Sequence, residues 1–219
     1  HDTFNDGVYG GNIHYLEFSY SRIWDVNQAY IEVGTSATDA PGDCFQLNYE
    51  QNQIVMYHST LDRRGTGNKA CIMLESNKAN TKVGLYYNTF YAPRYNGTDG
   101  SQTINSNSTN HHLTVIGNTF NSTDDSSGDF GIWGVHSNDT LMANVFTGLS
   151  RAIQNANGAT IVNNTFYNNA NVFYSGSPTT IGVLKNNILY NNTTLYDGVS
   201  APAGASNNLT TNPDFVNSG

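Results

Sequence analysis

With 219 residues, only 12% of them charged, and a formal net charge of −8, the chain lacks the dominant basic face that phosphate contacts need. Nucleic-acid binding as its main role is thereby excluded. No apolar run approaches the roughly eighteen residues of a membrane span, and no Arg- or Lys-led apolar stretch forms a signal peptide.

The chain opens on His1 rather than Met, the expectation being a processed product or a fragment. Asn alone makes up about one residue in seven, and Ser, Thr and Gly are also heavily used. Such a weakly charged polar surface is typical of secreted or cell-surface β proteins. Cys44 and Cys71 are too few for a disulfide scaffold or a zinc site, so two free thiols are expected, with a disulfide if the Cα geometry permits.

Taken in chain order, short β-rich runs alternate with Asn, Gly and Ser punctuation, and no amphipathic helix interrupts them. IHYLEFSY (13–20) comes first, then AYIEV (29–33) and CFQLN (44–48). IVMYHSTL (54–61), CIMLE (71–75), VGLYYNTF (83–90) and LTVIGNTF (113–120) follow. The series continues through FGIWGV (130–135), DTLMANVF (139–146), AIQN (152–155), ATIVNNTF (159–166), VFY (172–174) and IGVLKNNI (181–188).

Seven of these runs share one template: apolar, x, apolar, apolar, x, Asn, x, Phe. Their end residues are Tyr20, Leu61, Phe90, Phe120, Phe146, Phe166 and Ile188, at intervals that shrink from 41 residues to 20 and 22. A shrinking period with early insertions predicts a solenoid with variable loops. Two or three strands in about 22 residues is the size of one rung of a right-handed parallel β-helix, an all-β, single-stranded solenoid of about seven rungs. Equivalent residues then form columns with the ~4.8 Å spacing of paired strands. Phe90, Phe120, Phe146 and Phe166 are expected as an internal aromatic ladder. Asn88, Asn118, Asn144, Asn164 and Asn186 are expected as an amide ladder at a bend. One domain over 1–219 is expected, with rungs over 13–190, a C-terminal capping segment over 191–219 and no N-terminal cap.

On these residues the chain resembles the right-handed parallel β-helix superfamily of pectate, alginate and chondroitin lyases, polygalacturonases and phage tailspikes. The closing NNLTTNPDFVN (207–217) resembles the Asn-Pro-Asp-Phe-Val segment that often follows the last coil in that superfamily. The resemblance implies an extracellular protein acting on polysaccharide. Asp124 and Asp125 are paired as in polygalacturonases, but neither Gly-His nor Arg-x-Lys follows them, which favours lyase chemistry over hydrolysis.

The imperfect copies carry the chemical interest. Three positions before the end residue, later rungs carry Gly117, Ala143, Asn163 and Lys185, whereas the first three carry Glu17, His58 and Tyr87. Between 61 and 94 stand six basic residues, including Arg63, Arg64, Lys69, Lys82 and Arg94, against Asp62 and Glu75. Cleavage of a uronate glycan by β-elimination needs a cation on the sugar carboxylate, a base for the C5 proton and an acid for the leaving oxygen. Arg or Lys serves the first role. His58, Arg63 or Lys69 serves as base and Tyr87 as acid. Glu17, Arg22, Arg64, Arg94 and Trp133 are the expected substrate contacts.

Calcium, common in the superfamily, has only Asp39 and Asp43 as candidate ligands. Against these readings, Arg63 and Arg64 suit a solvated, ion-paired loop better than a site, and His58 equally suits a structural hydrogen-bonder. Tyr86, at an apolar position of the template, is expected to be packed. His111 and His112 are expected in a solvated loop. Of eight Asn-x-Ser/Thr sequons, from Asn96 to Asn208, most are expected from composition alone. The rival to an enzyme is a non-catalytic adhesin, a tailspike-like module or a filament-forming spacer. A β-helical glycoside hydrolase is the second alternative.

Overall fold

Every turn of the chain contributes three short strands, and each strand pairs in parallel with its counterpart one turn away. The computed structural model describes residues 8–11, 15–24, 45–48, 53–62, 70–74, 81–92, 101–106, 111–122 and 128–214. The first turn is β1 (Val8–Gly11), β2 (Tyr15–Ser19) and β3 (Arg22–Trp24). The second is β4 (Phe45–Asn48), β5 (Gln53–Tyr57) and β6 (Thr60–Asp62). The third is β7 (Ile72–Leu74), β8 (Thr81–Tyr86) and β9 (Thr89–Tyr91). The fourth is β10 (Ser101–Ser106), β11 (His111–Ile116) and β12 (Thr119–Asn121). The fifth is β13 (Asp129–Val135), β14 (Thr140–Met142) and β15 (Val145–Thr147). The sixth is β16 (Arg151–Ala156), β17 (Thr160–Val162) and β18 (Thr165–Tyr167). The seventh is β19 (Asn171–Thr180), β20 (Val183–Lys185) and β21 (Ile188–Tyr190), after which β22 (Thr194–Ser200) begins the next.

The first strands of all turns form an eight-stranded sheet. The second strands form a seven-stranded sheet and the third strands another. This all-parallel, three-sheet solenoid is a right-handed parallel β-helix, as the repeat predicted.

Alternation along each strand explains the core. Ile54, Met56, Val83, Leu85, Leu113, Val115, Leu141 and Ile161 point inward from the second sheet and are buried, while their neighbours face out. From the third sheet, Phe90, Phe120, Phe146 and Phe166 are fully buried and stack with centroids 5.0, 4.6 and 4.9 Å apart. Leu61 and Leu189 continue this column in register at its two ends.

At the bend between the second and third sheets, each ladder residue accepts a backbone N–H from the rung before. Asn88 donates to Asn118 Oδ1 (2.8 Å), Asn118 to Asn144 (2.9 Å), Asn144 to Asn164 (2.9 Å) and Asn164 to Asn187 (2.9 Å). Each amide Nδ2 also donates to a main-chain carbonyl, as Asn144 does to Val115 O at 2.8 Å. Donors and acceptors inside a buried bend are thus satisfied, where an unmade bond would cost about 1–3 kcal/mol. Ser59 extends the ladder upstream, its N–H reaching Asn88 Oδ1 at 2.9 Å.

The register corrects the sequence alignment at both ends. Leu189, not Ile188, pairs with Phe166, and Asn187, not Asn186, holds the ladder. In the first turn Ile23, not Tyr20, pairs with Leu61, a slide of three residues. β10 escapes the strand pattern because SQTINS is polar, yet Gln102, Thr103 and Asn105 are buried. A second, shorter amide ladder, Asn169 to Asn192, supports the bend after the third sheet. The AYIEV segment and Cys44 lie outside the described residues. Cys71 is a buried thiol with Sγ 3.6 Å from Tyr91 O.

Candidate functional site

The bend that carries the Asn ladder inward carries something different outward. One residue per turn there adopts the left-handed backbone: Tyr20 (φ 48°), His58 (48°), Tyr87 (55°), Gly117 (68°), Ala143 (55°), Asn163 (57°), Asn186 (56°) and Asn207 (56°). Gly and Asn accept this conformation readily, whereas a bulky side chain in it is uncommon and costs on the order of 1–3 kcal/mol. The first three turns nonetheless place aromatic rings here, all exposed.

Those rings stack along the solenoid axis. Tyr20 and His58 have centroids 5.1 Å apart at 15°, and His58 and Tyr87 5.3 Å apart at 12°. Tyr87 in turn lies over Gly117, where an added Cβ would stand 2.5 Å from Tyr87 Cδ1. Because the inner ring faces cover one another, the stack offers its edges: two phenol hydroxyls and an imidazole, one rung apart.

Beside the stack runs the outer face of the second sheet. Its register aligns Tyr15, Gln53, Lys82 and His112 in one row, Glu17, Val55, Gly84 and Thr114 in the next, and Ser19, Tyr57, Tyr86 and Ile116 nearest the bend. A groove of about 310 Å³ opens here, lined by Gln53, Val55, Lys82, Gly84, Tyr86 and His112, with Asn138 at its end. Gly84 accommodates the Tyr86 ring, which lies across this glycine, 2.6 Å from where a Cβ would be.

At the first-turn end, Glu17 accepts hydrogen bonds from the hydroxyls of Tyr57 (2.5 Å) and Tyr15 (2.8 Å). The Tyr57 bond, then the Tyr15 bond, hold the Glu17 carboxyl below its ordinary range. The same bonds to Glu17 push both phenols up. The glutamate is therefore a poor proton acceptor and a fixed anion at the rim.

The structure brings His58 and Tyr87 together. Tyr20, not Glu17, completes their column; Glu17 instead pairs with Val55 on the adjoining sheet face. Arg22 begins β3 just past the bend, exposed, with Nη2 3.3 Å from the largely buried Asp62 carboxylate. Trp133 stands on β13 in the first sheet, a different face of the solenoid. Arg63, Arg64, Lys69, Arg94, Asp39 and Asp43 lie outside the described residues. Among the described residues no three His, Cys, Asp or Glu side chains gather to hold a metal ion.

Two expectations are overturned. Tyr86 faces outward and is half-buried, its ring packed across Gly84 rather than in the core, because the inward position beside it belongs to Leu85. His112 belongs to strand β11 rather than a loop, and strand pairing sets it beside Lys82. Sequence reasoning also missed Tyr20 and Tyr57. The signal was present: sliding the first copy by three aligns FSYSRI with MYHSTL, matching Ser21 to Ser59 and Ile23 to Leu61.

Neither a family model, nor a curated protein, nor a solved structure matches the chain. The functional reading therefore rests on this geometry and on the fold.

Proposed function

We propose that the protein is an extracellular, carbohydrate-active β-helix that binds an acidic polysaccharide along the outer face of its second sheet and cleaves it by β-elimination. The observation that carries this reading is the pairing of Lys82 and His112 in one groove that Tyr86 also lines, on the sheet face that ends at the bend carrying the Tyr20–His58–Tyr87 stack. Bulky residues held in the left-handed conformation are backbone strain retained at one place, and such strain clusters at binding sites.

The chemistry follows from the side chains. Lys82 supplies a point charge for a uronate carboxylate. An imidazole, His112 in the groove or His58 on the rim, takes the C5 proton. The C4–O bond then breaks as a C4–C5 double bond forms, and a tyrosine hydroxyl, Tyr86 or Tyr87, protonates the departing oxygen. Glu17, held ionised at one end, disfavours a second sugar carboxylate there and limits how far the chain can slide.

Incubation with alginate, pectate, chondroitin and hyaluronan, each with and without calcium, tests the reaction through the ultraviolet absorbance of the unsaturated uronate. Absence of product from all four would remove the lyase step. The second reading, a non-catalytic glycan-binding or adhesive module, is favoured by the later turns. From β13 onward they repeat the same three strands with the Asn ladder unbroken from Asn144 through Asn164 and Asn187 to Asn208, and the register shift falls in β19.

A further inference from the structure

Arg151 opens β16 on the outer face of the first sheet, away from the groove already described, and its guanidinium is held between two aromatic rings. Its Cζ lies 4.6 Å from the Phe130 ring centroid on one side and 3.6 Å from that of Tyr174 on the other. Nη1 donates to Gln154 Oε1 at 3.2 Å. Gln154 sits in register between Trp133 and Tyr174, so the half-buried indole borders the same spot.

The rings strip water from both faces of the cation, but arginine cannot shed its charge in response. A guanidinium has five N–H donors in one plane, and Arg151 uses one of them on Gln154. Among the described residues Arg22 pairs with Asp62, and no carboxylate pairs with Arg151. The Gln154 amide that accepts this bond carries two further N–H donors of its own. What remains is a set of unused guanidinium donors beside an apolar ring, which is the complement of a planar anion attached to a sugar. The exposed Asp197, one rung beyond Tyr174 in the same row, limits the site on that side.

We propose that Arg151, Gln154, Tyr174 and Trp133 form a second glycan-binding site that takes the carboxylate or sulfate of an acidic sugar in the guanidinium plane, with the sugar's apolar face against Trp133. The site rests on the acidic-glycan reading for the class of its ligand, not for its place, since it lies on a different sheet.

The test is a fluorescence titration of the Trp24→Phe protein, in which Trp133 is the sole indole, with three probes: oligogalacturonate, a sulfated chondroitin oligosaccharide and a neutral galactan oligosaccharide. One or both acidic probes are expected to change Trp133 emission saturably and the neutral one not, and their ranking separates carboxylate from sulfate. Arg151→Gln should weaken that binding by about tenfold or more, and Arg151→Lys, which keeps the charge but loses the planar fork, should also weaken it. Lys82→Gln should leave the Trp133 titration unchanged while weakening total binding measured by calorimetry. Variants that melt like the parent yet bind acidic probes with unchanged affinity would overturn the second site and leave the second-sheet reading standing. No calorimetric binding of any probe to the parent would overturn both.

Discussion

The ring of Tyr87 lies directly over Gly117 on the next rung, so that residue 117 has room for no side chain at all. Gly117 also sits at φ 68°, which makes it doubly constrained. Gly117→Ala should therefore destabilise the protein by about 1–2 kcal/mol, through left-handed strain and displacement of the Tyr87 ring. Ala143→Gly, one rung further and also left-handed at φ 55°, should instead be neutral or slightly stabilising. Chemical denaturation of the two variants measures the contrast.

His58 separates strain from stability. An Asn in its place suits the left-handed backbone, as Asn163 does, but removes the ring between Tyr20 and Tyr87. Relief of strain and loss of stacking offset each other, so His58→Asn should stay within about 1 kcal/mol of the parent. Its affinity for acidic glycan should fall all the same. A variant that is markedly less stable would show that the stack is scaffold.

Asn144 is a scaffold residue and should behave oppositely. It accepts from both the backbone and the side chain of Asn118 and donates to Val115 O and Asn164 Oδ1, all within a buried bend. Asn144→Ala leaves several of these groups unmet and should cost roughly 2–4 kcal/mol in denaturant titration. Glycan binding by the molecules that remain folded should be unaffected.

The Glu17 carboxyl gives a pH signature. Its pKa in the folded protein lies below the ordinary value of 4.5, because Tyr57 and Tyr15 bond its ionised form. Its interaction is accordingly complete above 4.5 and is lost as pH falls through the lower folded value. The raised phenols of Tyr57 and Tyr15 give the mirror case, with stability present below the ordinary value of 10 and lost as pH rises through theirs. Carbon-detected NMR titration of Glu17 should show a midpoint below that of a freely exposed glutamate, and Tyr57→Phe should move it back up. A midpoint unchanged by that substitution would contradict the hydrogen-bonded triad.

The ladders were legible in the sequence because each buried Phe and Asn needs its counterpart one rung away, so the pattern must be written repeatedly. Outward positions obey no such rule. Tyr20 was hidden because its turn replaces the ladder Asn by Ser21, leaving no amide to fix the alignment. His112 was hidden by the Asn- and Ser-rich run before it, which reads as loop although the chain enters β11 at His111. Strand β10 was hidden because a parallel rung paired on both sides accepts polar residues whose main-chain partners are supplied by β7 and β13. Pairing in three dimensions, not local pattern, brings Lys82 beside His112.

The central claim is that the second-sheet groove and its aromatic rim form one glycan-binding surface. Titrating isotopically labelled protein with an oligouronate while following the side-chain resonances of Lys82, His112, His58 and Tyr87 tests it directly. Saturable shifts of all four with a single dissociation constant, weakened together by Lys82→Gln, are expected. Shifts of Lys82 and His112 with no response from His58 and Tyr87, or no shift at any of the four, would contradict it.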